Sequence, residues 1–495
     1  MTGMTTDNVL AHAVDSARPR LPSLRGSRVT VMGIGTRGGG LGVVRWLVGQ
    51  GAAVTATDGK TAEQLGPVAD ELAGLPVRLV LGGHDAADFS AVGADLVVRN
   101  PAIPRRAPLL ELARSEGVPV EMEMSLFFRA CRAPIVGVTG TKGKTTTSTL
   151  IAHVLRNDHP GTVLAGNMGV SALAQLDRLT LEAPVVVELS SWQIESLIEH
   201  GLSPHVAVIT NISEDHLDTY DGFDDYAATK IGLLAAQRAD DVAVLNRDDQ
   251  RVWSGASRTS GQVIPFGLTD DGGAGAWLDG DELVVRDANG ELRLERPRGL
   301  ALAGDHGARN ALAALAVARA LGSRDHAIRG GLSGFDGVPH RMEFVAEIAG
   351  VTYINDTTAT APAAAIAALS AFAGRRVHWI AGGADKSLDL SELAATVARD
   401  AESIHLLDGS ATPRLMTAIV AAGGRPRGPY RSIADAALTA HRASVPGDVV
   451  LLSPGCASFG LFRDEFDRGE QFRAAVARVH GICELGSAET GPALK

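Results

Sequence analysis

The chain has 495 residues, 45% of them hydrophobic, which is enough to bury more than one core; at the usual ~100–200 residues per domain, about three domains are expected. Lys and Arg total 46 against 57 Asp and Glu, and the net charge of −11, with no basic block, argues against a nucleic-acid partner. Cys131, Cys456 and Cys483 are too scattered for a disulfide framework or a CxxC metal site, and no apolar run is long enough to span a bilayer, so a cytoplasmic protein without membrane insertion is expected.

After a polar leader lacking the basic start and apolar core of an export signal, RVTVMGIG reads as a strand, GGGLGVVRWLVGQG as a glycine-rich turn and helix, and AVTATD as the next strand. In such a βαβ opening the glycines accept phosphate and an acid about 20 residues on binds a ribose or base. Gly35 and Thr36 lie in that loop, and Asp58 follows Gly33 by 25 residues. Apolar runs then alternate with Ala-rich helical stretches: DLVVRN, PIVGVTG, PVVVELS, HVAVITNI, DVAVLN, and later VHWIAGG, SIHLLDG and DVVLLSPG. The class is α/β with mainly parallel sheets, in three domains at 1–122, 123–338 and 339–495. Residues 266–300 have the turn spacing of a small hairpin appendage on the middle domain.

The stretch GVTGTKGKTTTSTL, 137–150, sits between strand and helix and is a phosphate-loop candidate. Glycines let backbone N–H groups approach an anion, the helix N-terminus favours negative charge, and Lys144 supplies a point charge. Thr145 and Thr146 offer hydroxyls to phosphate and a cation. The spacing departs from GxxxxGK[ST], because Gly137 lies one place too far upstream. Glu188, Ser190, Ser191 and Gln193 follow the next apolar strand, at the end where α/β sheets keep ligands, although a carboxylate there is more often solvated or capping a helix. NISEDHLDTY adds Glu214, Asp215, His216 and Asp218, without zinc spacing; hard oxygen ligands beside a phosphate loop suit Mg²⁺ better. On sequence physics alone, Lys230 in YAATKIGLL is an ordinary exposed helix lysine. HRMEF, YINDTTATAP, GGADKS and LLSPGCASFG each adjoin an apolar strand, and four such clusters in one segment suggest a binding face.

In this order GTKGKTT, ELSSWQ, TNISEDHLD, HR, NDTTAT, GGADKS and LSPGCASFG resemble the Mur ligases of peptidoglycan synthesis, in particular their glutamate-adding members, over nearly the whole chain beyond the leader. The resemblance implies an N-terminal Rossmann-like domain for the uridine nucleotide, a central ATPase domain and a C-terminal Rossmann-like domain for the amino acid. It implies ATP and Mg²⁺, with two ions expected, and D-glutamate addition to UDP-N-acetylmuramoyl-L-alanine through an acyl phosphate. The sequence does not give the oligomeric state, and a monomer is the expectation. Gly140, Thr141, Lys142, Gly143, Lys144, Thr145, Thr146, Asn310, Arg341 and Asp356 then line ATP. Thr145, Glu188, His216 and Lys230, the last as a carbamate, serve the metal. Asn167 and Gln193 hold the muramoyl alanine part, Lys386, Ser458 and Phe459 face glutamate, and Ser190, His216 and Thr360 bind substrate; the first loop departs from the family's usual form in its extra glycine and in Arg37, which is placed to reach the diphosphate.

Departures matter too. Gly307 stands where the helix start HNxxN carries an asparagine, and Thr358 stands where NDSKAT carries a lysine. A ligase for L-glutamate or another amino acid is therefore the nearest alternative. A nucleotide-dependent dehydrogenase or a non-catalytic nucleotide-binding regulator fits less well, since neither needs the lysine, carboxylate and histidine set around the phosphate loop.

Overall fold

A computed structural model describes residues 19–36, 38–166, 171–214, 220–297, 302 and 304–489. Arg37, Asn167 and His216 lie outside these residues.

The first sheet contains β1 (Arg28–Met32), β2 (Ala53–Asp58), β3 (Val77–Leu81), β4 (Leu96–Arg99) and β5 (Val120–Met122), in the order β3-β2-β1-β4-β5. All its pairings are parallel. The strand order reverses between β1 and β4, the crevice where open parallel sheets bind ligands.

The second sheet runs β14-β13-β12-β11-β10-β9-β6-β8-β7. Its strands are β6 (Ile135–Thr139), β7 (Val163–Gly166), β8 (Val185–Glu188), β9 (Val206–Ile209), β10 (Val242–Asn246), β11 (Gln262–Phe266), β12 (Gly275–Asp279), β13 (Glu282–Asp287) and β14 (Gly290–Glu295). Central β6, β8, β9 and β10 are buried at every position, which is why they read as continuous apolar runs rather than alternating ones. The hairpin expected within 266–300 forms the antiparallel β12-β13-β14 meander, attached to the parallel sheet at Phe266↔Ala276.

The third sheet, in a second compact unit that begins at Asp336, is ordered β15-β16-β20-β17-β18-β19. It comprises β15 (Glu343–Ile348), β16 (Val351–Asn355), β17 (Val377–Ala381), β18 (Ala401–Leu407), β19 (Pro426–Tyr430) and β20 (Val449–Leu452). Only β15 is antiparallel to its neighbour. Trp379, Leu406 and Leu451 anchor the core on one side of this sheet, and Tyr353, Ile380 and Phe472 anchor the core on the other.

Candidate active site

The phosphate loop follows β6, the strand between β8 and β9. Gly140 has φ 149°, and a Cβ there would lie 1.9 Å from Thr210 Oγ1. Gly143 is left-handed at φ 83°, and its Cβ would lie 2.7 Å from Asn310 Oδ1. These two approaches require glycine. The loop is pinned from the β9 side: Thr141 N donates to Asn211 O at 2.8 Å, Lys142 N to Asn211 Oδ1 at 2.9 Å, and Thr210 Oγ1 to Lys142 O at 2.7 Å. Lys144 opens the Lys144–Leu155 helix, and its Nζ donates to Gly140 O and Thr141 O, each at 3.0 Å. Thr145 and Thr146 occupy the same first turn. Asn310 joins the site by accepting from Thr147 Oγ1 at 3.1 Å. One turn earlier on its helix, a Cβ at Gly307 would meet the Leu302 carbonyl carbon at 2.1 Å, so the backbone's approach explains glycine there.

Lys230 departs from the exposed-lysine expectation: it is 1% exposed. Its Nζ donates to Gly140 O at 2.9 Å and lies 4.7 Å from the centre of the Tyr226 ring, so it shares an acceptor with Lys144. The Tyr226 hydroxyl in turn lies 3.2 Å from Thr141 Oγ1. Spacing did not reveal this burial, because the Phe223–Gly232 helix carries a lysine where its other inward residues are Tyr226, Ala227 and Thr229. Glu188 ends β8 in register with Val138 and is 2% exposed.

A cavity of about 420 Å³ opens beyond the carboxyl ends of β1 and β4, lined by Gly35, Thr36, Lys60, Asn100, Glu123 and Gln193, among others. Asp58 is not on its wall. Its Oδ2 accepts from Ile34 N at 2.7 Å and Gly35 N at 3.0 Å, and its Oδ1 accepts from Lys60 N at 2.8 Å. The acid expected to meet a ribose or base is thus occupied in shaping the glycine loop. Ser190 and Gln193 form a capping box on the Ser191–Glu199 helix. Gln193 N donates to Ser190 Oγ at 3.3 Å, and Ser190 N donates to Gln193 Oε1 at 2.9 Å. Arg99, buried at the cavity, donates to Glu195 Oε2 at 2.9 Å and Ile103 O at 2.8 Å. Lys60, Asn100 and Arg99 were missed in the sequence because each reads as an ordinary strand-end residue.

In the second unit the carboxyl ends of β16, β17 and β20 bring the later motifs together. Lys386 Nζ donates to Thr360 Oγ1 at 3.0 Å. Asp356 accepts from Met342 N at 3.1 Å and from Ser453 Oγ at 2.9 Å, and burial pushes its carboxyl up to about 6. Arg341 is exposed nearby in sequence. Thr358 turns its hydroxyl to His340 O at 3.0 Å. Ser458 is 2% exposed, with no hydrogen-bond partner for Oγ among the described residues, whereas Phe459 beside it is exposed. Arg468, also missed, is fully buried: it donates to Thr357 Oγ1 and Thr357 O, each at 2.9 Å, and to Cys456 O at 3.3 Å. Burial lowers its pKa to about 10. It clamps the NDTTAT loop to the GCASFG loop.

Three family models match in chain order. Residues 27–121 match the MurD-like N-terminal domain, 138–318 the Mur ligase middle domain, and 340–456 the Mur ligase glutamate ligase domain. The chain belongs to the Mur ligase family. It is 46% identical to a UDP-N-acetylmuramoylalanine--D-glutamate ligase from Roseiflexus sp. (strain RS-1), over 92% of this chain and 99% of that one. A protein of the same description from Pelotomaculum thermopropionicum is 38% identical over 91% and 98%. Among solved structures, the UDP-N-acetylmuramate-alanine ligase MurC from Thermotoga maritima superposes with TM-score 0.55 at 21% identity, covering 92% of this chain and 100% of that one. MurF from Acinetobacter baumannii gives TM-score 0.55 at 20% identity, over 81% and 93%. These two likenesses bear on the fold alone. In this Mur ligase, then, the phosphate loop and the cavity at the first sheet's crevice lie within one compact unit.

Proposed function

We propose that the chain is an ATP-dependent ligase adding D-glutamate to the alanyl carboxylate of UDP-N-acetylmuramoyl-L-alanine, an amide-forming step of peptidoglycan precursor synthesis. The observation that carries this reading is a phosphate loop with two inward lysines in the same unit as a nucleotide-sized cavity. The relatives' activity supplies the substrate identity. Domains at 1–122, 123–338 and 339–495 divide the work into nucleotide, ATP and amino-acid binding. We place the enzyme in the cytoplasm as a monomer; among the described residues no helix is long and apolar enough to cross a membrane.

The donor set fits Mg²⁺: a threonine hydroxyl at the helix start and a carboxylate at the next strand end are hard oxygen ligands. Mg²⁺ is usually held through one or two carboxylates together with waters and substrate phosphate oxygens. Thr145, Glu188, His216 and a carbamylated Lys230 would hold two such ions. When bound, Mg²⁺ supplies Lewis-acid neutralisation of phosphate charge. Lys230 is buried against the phosphate loop, where a carbamate would bring an oxygen-rich anion to the ion.

The carboxylate oxygen of the alanyl group attacks the γ-phosphorus, and ADP leaves. Lys144, swinging from the Gly140 and Thr141 carbonyls, meets the charge on the transferring group. The glutamate amine then attacks the acyl carbon; the C–N bond forms, the C–O bond to phosphate breaks, and a proton is released. Asn310, Arg341 and Asp356 hold the adenosine triphosphate. Gln193, Ser190 and Asn167 orient the muramoyl alanine, with Gly35, Thr36 and Arg37 on its nucleotide and Asp58 shaping their loop. Lys386, Thr360, Ser458 and Phe459 receive glutamate. Thr358 withholds the expected cation and turns its hydroxyl to His340 O, so another glutamate anchor is needed, and L-glutamate is kept as the second reading. Substrate labelled with ¹⁸O in the alanyl carboxylate tests the chemistry. One labelled oxygen should enter the released phosphate; unlabelled phosphate would remove the acyl phosphate.

A further inference from the structure

We propose that Glu123 is a positioning residue for the nucleotide substrate, acting through Ser171 to hold one wall of the cavity against the helix that continues the glycine loop. The inference rests on the ligase reading above. Glu123 opens the Glu123–Ala130 helix directly after β5, and it lines the cavity. A carboxylate is unexpected on the wall of a site meant for a diphosphate, since two anions repel. Its partners explain its presence. Ser171 Oγ donates to Glu123 Oε1 at 2.6 Å, and the backbone N–H groups of Ala172 and Leu173 donate to the same carboxylate. Three donors take up most of its accepting capacity, leaving Glu123 poorly suited to be a ligand itself.

Ser171, which is buried, carries the contact onward. A Cβ at Gly42 would lie 2.4 Å from Ser171 Cβ and 2.6 Å from its Oγ, so the helix Gly39–Gly49 presses its bare backbone onto this serine. That helix begins where the glycine loop ends. Glu123, Ser171 and Gly42 therefore form one continuous contact from the first sheet's ligand loop to the middle domain's side of the cavity. Burial pushes the Glu123 carboxyl above its usual range, and its three donors pull the other way.

Glu123→Gln removes the charge and turns one of the two acceptor oxygens into an NH₂ donor, so part of the three-donor contact is lost while the shape is kept. It should raise the KM for UDP-N-acetylmuramoyl-L-alanine roughly tenfold or more, the scale of a lost charge-assisted hydrogen bond. With nucleotide saturating, kcat should stay within about twofold, and the KM values for ATP and glutamate should be unchanged, which a merely structural role would not produce. Ser171→Ala should shift the same KM in the same direction, and the double variant should be no worse than Glu123→Gln alone, because both act through one bond. Gly42→Ala should reproduce the shift. An unchanged nucleotide KM in folded Glu123→Gln overturns the proposal, as does a fall in kcat with all three KM values unchanged. If Glu123→Gln does not fold, an unchanged nucleotide KM in Ser171→Ala decides against it. A wild-type chain that neither binds nor turns over the nucleotide sinks the ligase reading instead; undiminished binding in the variants sinks only the role of Glu123.

Discussion

Lys144 and Lys230 converge on one carbonyl, Gly140 O, yet the proposed mechanism requires opposite charges on them. Lys144 remains a cation aimed at the transferring phosphoryl group. Its replacement by Ala should lower kcat by roughly 10²-fold or more, since a charge preorganised at the transition state is lost. Near wild-type turnover by folded protein would take ATP chemistry away from this loop. For Lys230 the proposed form is a carbamate, an anion. Lys230→Ala should be nearly inactive and partly restored by acetate, which fits the vacated anionic position; full activity without any added carboxylate would contradict the assignment. Asp356 yields a pH-dependent outcome. Burial raises its carboxyl from the ordinary 3.8 to about 6, so folding favours the protonated form, and the cost of ionisation grows as pH rises from about 4 through 6 and is complete above that. Asp356→Asn should therefore raise Tm relative to wild type at pH 8, and that gain should vanish near pH 4. An equal gain at both pH values would refute the burial argument.

At the scale of elements, the ends of β6 and β8 carry the proposed site, and their helices depend on different devices. The Ser191–Glu199 helix has a capping box, so Ser190→Ala should cost about 1 kcal/mol in denaturant unfolding, the usual worth of such a cap. The Lys144–Leu155 helix has only Gly143 at its start, with no side-chain cap. The parallel strands were legible in the sequence because burial on both faces writes them as unbroken apolar runs; β8 and β20 are VVVE and VVLL. Other strands hid for physical reasons. β19 is PRGPY, whose prolines suit only an edge, and β5 is three residues long. The site was legible where backbone demands glycine or where motifs end strands. It was not legible where a polar residue turns inward from a helix, as Lys230 and Arg468 do. Nor does spacing reveal whether an acid such as Asp58 faces the ligand or the loop that holds it.

For the molecule as a whole, the order of motifs carried more than any one of them: a lone glycine loop fits a dehydrogenase, but a second phosphate loop and a third α/β domain fit a ligase. Thr358 gives no positive charge, so Lys386, held to Thr360, is the anchor in the proposed site. Lys386→Ala should raise the glutamate KM more than tenfold, and Thr358→Ala only a few-fold, because a charge-assisted hydrogen bond is worth roughly 1.5–3 kcal/mol. The most direct measurement is ADP release and amide formation by the purified chain with UDP-N-acetylmuramoyl-L-alanine, Mg²⁺ and ATP, over pure D- and L-amino acids. A D-glutamate ligase should release one ADP per amide formed and clearly prefer D-glutamate. A preference for L-glutamate would contradict the stereochemical assignment, and ATP hydrolysis without amide formed from any amino acid would contradict the ligase itself.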